Sequence, residues 1–167
     1  VGINLEDGVR HESLREIDDA ARRIAAARRA AHEAGVPIVI NARIDTWIVA
    51  GNTSAAERVD ETLRRARAYL AAGADCIYPI ALAEPDVIAG LCAQIDAPVN
   101  IGARAGLPDV AELGRLGVAR VSTATRLASL ALSSAREAAQ RLRCSGSFDG
   151  LEAAFSYADL QRLFPNC

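Results

Sequence analysis

A chain of 167 residues has room for one domain with a substantial core and not comfortably for two. Apolar residues make up 51% of it and aromatic ones 4%, so the core must be built from Ala, Leu, Val and Ile, which suits helices on a parallel sheet better than an all-β sandwich. The net charge of −2 gives no electrostatic reason to expect nucleic acid or an anionic membrane as partner, and the 19 basic residues are all Arg, which excludes a lysine Schiff base or lysine general base within these residues.

Along the chain a short apolar run followed by a long helical run recurs five times. Val1 to Leu5 is the first predicted strand, and Ser13 to Ala34 the helix after it, with Leu14, Ile17, Ala20, Ala21, Ile24 and Ala27 at helical spacing. Gly35 stands where a helix-ending glycine is favoured. Pro37 to Ala42 reads as a strand buried on both faces, and Ser54 to Ala72 as a helix with Leu63, Ala66, Tyr69 and Leu70 on one side. Asp75 to Tyr78, Ala97 to Ile101 and Ala119 to Ser122 are the later strands; Pro85 to Ala93, Asp109 to Leu116 and Thr125 to Arg143 are their helices. The expected organisation is a single domain, with five β/α units over 1–143 and a helical tail over 144–167, where Phe148 to Phe164 carries one or two further helices.

Such alternation implies right-handed crossovers and a parallel sheet. Three helix-to-strand joints share one form: Ala34-Gly35-Val36-Pro37, Ala72-Gly73-Ala74-Asp75 and Leu116-Gly117-Val118-Ala119. Repetition of this kind favours a barrel, whose units are geometrically equivalent, over an open doubly wound sheet, which stays open as an alternative. Four widely spaced cysteines (Cys76, Cys92, Cys144, Cys167) without a C-x-x-C pair read as reduced thiols of a cytoplasmic protein. No run reaches the ~18 apolar residues of a membrane span, and there is no basic-then-apolar leader. The sequence contains no Met and opens directly on a strand, which reads as a chain that begins partway through its fold, although initiator removal by itself would also delete the Met.

Parallel β/α folds bind ligands at the carboxyl ends of their strands. There the sequence places Glu6 and Asp7, then Asn41, Arg43 and Asp45, then Tyr78, Asn100, Ser122 and Thr123. Glu6 and Asp7 are candidate ligands for a hard cation such as Mg²⁺, which takes carboxylate oxygens and keeps waters; alternatively Asp7-Gly8 opens a turn. Arg43 can fork onto a carboxylate or phosphonate with Asp45 holding the guanidinium, or the two form a structural pair on the rim. Asn100 offers a donor and an acceptor. His32 reads as a solvated helix residue, and His11 falls in a flexible loop able to reach the strand ends. No nucleophile elbow, glycine-rich phosphate loop, zinc-protease motif or paired cysteine ligand is found.

Taken in order, Gly2-Ile3-Asn4-Leu5-Glu6-Asp7-Gly8, Asn41-Ala42-Arg43-Ile44-Asp45, the run Ala71 to Pro79, Pro98-Val99-Asn100 and the run Leu116 to Ser122 resemble the isocitrate lyase and phosphoenolpyruvate mutase superfamily over nearly the whole chain. The resemblance implies a TIM (β/α)₈ barrel of the phosphoenolpyruvate/pyruvate-binding type, of which these residues are strands four to eight. It implies an enzyme making or breaking a C–C or P–C bond beside a 2-oxo acid through a Mg²⁺-stabilised pyruvate enolate. By the same resemblance Glu6 is a water-mediated metal carboxylate, Arg43 grips the substrate's carboxylate or phosphonate, and Asn100, Tyr78 and Asn41 lie at the substrate. It also implies a homo-oligomer formed through the terminal helices. Val9-Arg10-His11-Glu12-Ser13 stands where the lyases carry a Cys-bearing acid/base loop, and Tyr78-Pro79 where they carry a Glu, so isocitrate cleavage is not expected and the phosphonomutase-like branch fits better. The alternative is a catalytically inactive partial barrel that associates with its missing strands or with another copy.

Overall fold

The computed structural model describes residues 1–49, 51, 53–149, 151 and 156–164. In chain order its elements are β1 (Gly2–Glu6), a hairpin of β2 (Gly8–Val9) and β3 (Ser13–Leu14), α1 (Ile17–Glu33), β4 (Val39–Ile44), α2 (Ala55–Ala71), β5 (Cys76–Pro79), α3 (Pro85–Gln94), β6 (Asn100–Gly102), α4 (Val110–Arg115), β7 (Arg120–Ser122), α5 (Arg126–Ser145) and α6 (Tyr157–Leu163). The chain divides into two compact units, Val1–Ala124 and Thr125–Cys167. α5 and α6 lie in the second of these.

In the first unit β1, β4 and β5 pair in parallel, as do β6 and β7. A parallel bridge between Ile77 and Val99 links β5 to β6, where the Ile77 N–H donates to the Pro98 carbonyl at 3.0 Å. The long strands thus lie side by side in the order in which the chain makes them. A doubly wound sheet reverses its order partway across; this one does not, so the architecture is α/β of the TIM-barrel type.

Alternate residues of a strand face opposite ways. On the helix side, Ile40, Ala42 and Ile44 of β4, Ile77 of β5, and Val99 and Ile101 around β6 are buried. They form one cluster with Ala20 and Ile24 of α1, Leu63, Ala66 and Tyr69 of α2, Ile88 and Leu91 of α3 and Leu113 of α4. Each fully buried Ile contributes roughly 1.5–3 kcal/mol of transfer free energy. The opposite, inner face carries Gly2, Asn4 and Glu6, then Val39, Asn41 and Arg43, then Cys76 and Tyr78. Val39 is 53% exposed at the start of that face, but Asn41 is buried and Arg43 mostly so, so β4 beyond its first residue is buried on both faces, as its apolar run suggested.

The three repeated joints behave as their glycines predict. Gly35, Gly73 and Gly117 take φ of 65°, 102° and 95°, a region that costs a residue with a Cβ. Each turns the chain so that the next N–H reaches back into the helix: Val36 to Ala31, Ala74 to Tyr69 and Val118 to Leu113, at 3.0, 2.9 and 3.0 Å. Beneath the sheet Arg28 of α1 ties two strand entries together. Its guanidinium donates to the Gly73 carbonyl at 3.1 and 2.8 Å, to the Ile38 carbonyl at 2.8 Å and to the Asp75 carboxylate, which itself accepts the Ile40 N–H at 2.7 Å.

In the second unit α5 buries none of its residues, and Leu127, Leu130 and Leu132 are exposed. α6 starts with a reciprocal cap between Ser156 and Asp159. Residues 150 and 152–155 of the predicted tail lie outside the described residues. Among the described residues no helix is long and apolar enough to cross a membrane.

Candidate active site at the strand ends

Register places Glu6, Arg43 and Tyr78 side by side on β1, β4 and β5. The Ile77–Val99 bridge brings Asn100 next in the same row. Of the strand-end residues singled out from sequence, Glu6, Arg43, Tyr78 and Asn100 thus share one row on the inner face.

Arg43 is the centre of the row. Its Nε and Nη2 donate to the two oxygens of Asp45 at 2.7 and 2.9 Å, and Nη1 contacts Glu6 Oε2 at 2.8 Å. Asp45 is wholly buried, Arg43 mostly so, and Glu6 half exposed. A guanidinium has five N–H donors; three are committed here, and Nη2 also lies 3.5 Å from His11 Nδ1. A fork held on two sides is rigid and presents its donors in fixed directions.

Asp7 departs from the metal role expected of it. It lies on the helix side of β1, with 1% exposure. Its Oδ1 accepts the Asp45 N–H at 2.8 Å, and Oδ2 accepts from the Tyr69 hydroxyl at 2.7 Å and Arg65 Nη1 at 3.1 Å. With both oxygens taken by protein donors and the group facing α2, no open oxygen points to the inner face. Burial pushes its carboxyl above the usual 3.8, against the hydrogen bonds from Tyr69 and Asp45 and the charge of Arg65. Burial and the Asp7 charge likewise raise the Tyr69 phenol. What Asp7 does is hold the backbone of Asp45.

Arg65 also donates to the Arg15 carbonyl at 2.9 Å and to Glu61 at 2.7 Å, tying the segment after β3 to the same buried knot. Neither Arg65 nor Tyr69 was a predicted site residue. The one available signal was a charged residue set between Leu63 and Ala66 on the apolar side of α2.

His11 is not in a flexible loop. Gly8–Val9 and Ser13–Leu14 pair antiparallel, and Arg10 and His11 turn the hairpin with φ of 53° and 60°. A Cβ on Gly8 would run into the Asp45 carboxylate, so only glycine lets the hairpin pack this closely. The turn sets His11 Nδ1 3.4 Å from Asp45 Oδ2 and 3.5 Å from Arg43 Nη2.

Asn100 of this row and Asn41 of the row below have amide oxygens that are buried and unpaired among the described residues. The Asn41 amide donates to Asn4 Oδ1 at 2.8 Å, and the Asn100 amide to Ser122 Oγ at 3.2 Å. Their oxygens are left as acceptors for a donor from elsewhere. Below the row the inner face opens into a concavity of about 530 Å³ bordered by Asn4, Asn41, Cys76 and Arg120.

For Mg²⁺ the described residues supply one open carboxylate, Glu6, and no group of three His, Cys, Asp or Glu side chains placed to hold a metal. A single, half-exposed carboxylate beside an arginine fits a water-bridged contact with the ion and does not fit a closed protein cage.

A parallel, singly wound β/α wall with a polar row at its strand ends defines the class as an α/β protein of the TIM-barrel type. The phosphoenolpyruvate phosphomutase family model matches residues 1–143, and the chain belongs to that family. An uncharacterized protein of Mycobacterium tuberculosis is 36% identical over 161 residues, covering 96% of this chain and 57% of its own length. A phosphonomutase-like protein of Burkholderia cenocepacia J2315 shares 42% identity at a TM-score of 0.78, over 84% of this chain and 57% of that one. A lyase/mutase-like protein of the same organism shares 34% at a TM-score of 0.82, over 98% and 59%. The chain thus spans little more than half the length of the relatives it matches.

Proposed function

We propose that this chain carries the anion-gripping strand ends of a Mg²⁺-dependent lyase or mutase-like enzyme, one that makes or breaks a C–C or P–C bond next to a 2-oxo acid. In this reading its parallel strands correspond to strands four to eight of the barrel. The observation that carries it is the Arg43 guanidinium, held at the strand ends by Asp45 and Glu6. Two parallel N–H groups match the two oxygens of a carboxylate or phosphonate.

Tyr78 and Asn100 in the same row, and Asn41 in the row below, contact the rest of a small 2-oxo acid or phosphonate. Glu6 would hold Mg²⁺ through a water-bridged contact. When bound, the ion supplies positive charge against the developing enolate. Asp45 orients Arg43, and Asp7 orients Asp45. The alternative of a catalytically inactive partial barrel is not favoured by a family match that takes in all of the strand ends.

Oxalate, a mimic of the pyruvate enolate, tests this by calorimetric titration with and without Mg²⁺. Binding that needs Mg²⁺ is expected, and Arg43→Ala is expected to weaken it at least about tenfold, that is ~1.4 kcal/mol. Equal heats without the metal, or an unchanged affinity in the variant, would overturn the assignment.

A further inference from the structure

Proton transfer beside a 2-oxo acid needs a group with a free lone pair or proton within reach of the ligand. Among the strand-end groups the carboxylates do not qualify. Both oxygens of Asp45 are held by Arg43, both of Asp7 are held by Asp45, Arg65 and Tyr69, and Glu6, paired with Arg43 through Oε2, keeps only Oε1, which the enolate reading reserves for a water-bridged metal contact. No lysine exists in the sequence. His11 is different: it is 59% exposed, and of its two ring nitrogens only Nδ1 has a protein partner among the described residues.

Nδ1 lies 3.4 Å from the fully buried Asp45 carboxylate and 3.5 Å from Arg43 Nη2, and of these two only the carboxylate can accept Nδ1–H. A buried carboxylate against one imidazole nitrogen fixes the tautomer and leaves the other nitrogen to act. At 3.4 Å the contact is longer than a good hydrogen bond, as catalytic contacts often are before a ligand closes them. The backbone points the same way. Two consecutive non-glycine residues with positive φ are uncommon and costly, and here the strain turns the imidazole back over Arg43. The other charged groups around the ring are Arg10 and Glu12 on its own hairpin, Arg43 and Asp45 on and after β4, and Glu6 on β1.

We propose that His11 and Asp45 form the acid–base dyad of this site, a role that rests on the enolate reading above. Asp45 accepts Nδ1–H, and Nε2 exchanges a proton with the carbon next to the 2-oxo group. In the forward direction Nε2–H of the imidazolium breaks and a C–H bond forms. The electron pair of the enolate C=C becomes that bond, the enolate C–O becomes C=O, and the imidazole is left neutral. The reverse step makes the enolate.

The test uses pyruvate in deuterated water with Mg²⁺, following loss of the methyl proton signal, alongside the oxalate titration. His11→Asn is the variant, because Asn tolerates a positive φ and its amide can sit where Nδ1 sits; His32→Asn is the control. Exchange is expected to slow by about 100-fold or more in His11→Asn, with oxalate affinity within about threefold of the parent by the same titration. With two histidines in the chain, imidazole NMR gives a readout apart from turnover: the His11 signals should move on adding oxalate with Mg²⁺, and those of His32 should not. Exchange as fast in His11→Asn as in the parent, no exchange in a parent that binds oxalate, or a His11 signal indifferent to bound oxalate would each sink the dyad and leave the enolate reading standing. No Mg²⁺-dependent oxalate binding would sink that reading itself.

Discussion

The Arg43 guanidinium is kept from turning by the residues around it, as the proposed anion-binding role requires. Asp45 takes one edge of the fork, Glu6 the other, and Asp45 is itself held through its backbone by Asp7. The last link places a carboxylate in a dry site, and its pH dependence follows. Because burial lifts the Asp7 carboxyl above 3.8 in the folded chain, the native state keeps that proton to a higher pH than the unfolded state does. Ionising Asp7 therefore works against folding, and its contribution to stability falls as pH climbs from 3.8 through the raised value and is level beyond it. Urea denaturation of the parent and of Asp7→Asn across that window should show the parent losing stability relative to the variant as pH rises. A difference that grew in the parent's favour would contradict the account.

At the scale of elements the helix ends are where local chemistry decides most. Ser54 accepts the Glu57 N–H at 3.2 Å and the Glu57 carboxylate accepts the Ser54 N–H at 2.7 Å, a reciprocal cap at the start of α2. Ser54→Ala should cost about 1 kcal/mol in thermal or urea denaturation. Boundaries of this kind were readable from sequence, because Ser54, Gly35, Gly73 and Gly117 act through their own backbone. The hairpin before α1 was not. Its strands are two residues each, and its turn uses Arg10 and His11 in place of the Gly or Asn that advertise a tight turn, while Leu14 sits at helical spacing from Ile17 and so looked like part of α1. The site divides in the same way. Arg43 and Asp45 are two apart on one strand and could be paired from sequence. Asp7 and Arg65 are 58 residues apart, and only the folded path of β1 against α2 brings them together.

Over the whole molecule, burial is distributed unevenly between the two units. β4 contributes Ile40, Ala42 and Ile44 to the core, all fully buried, whereas α5 buries nothing. Local opening free energies follow such differences, so amide hydrogen exchange should reach α5 well before β4. Protection of α5 equal to that of β4 would show that burial within the chain does not govern its local stability.

The parallel strands also keep two kinds of information on alternate letters. Residues 40, 42, 44, 77, 99 and 101 are answerable to the helices, and residues 4, 6, 41, 43, 78 and 100 to whatever occupies the inner face. A substitution at one parity leaves the other unread. A lineage could exchange one small acid for another by rewriting only the second set, so that ligand preference drifts while the wall stands. That separability makes this segment a scaffold on which new preferences can be selected in the laboratory with the first set held constant.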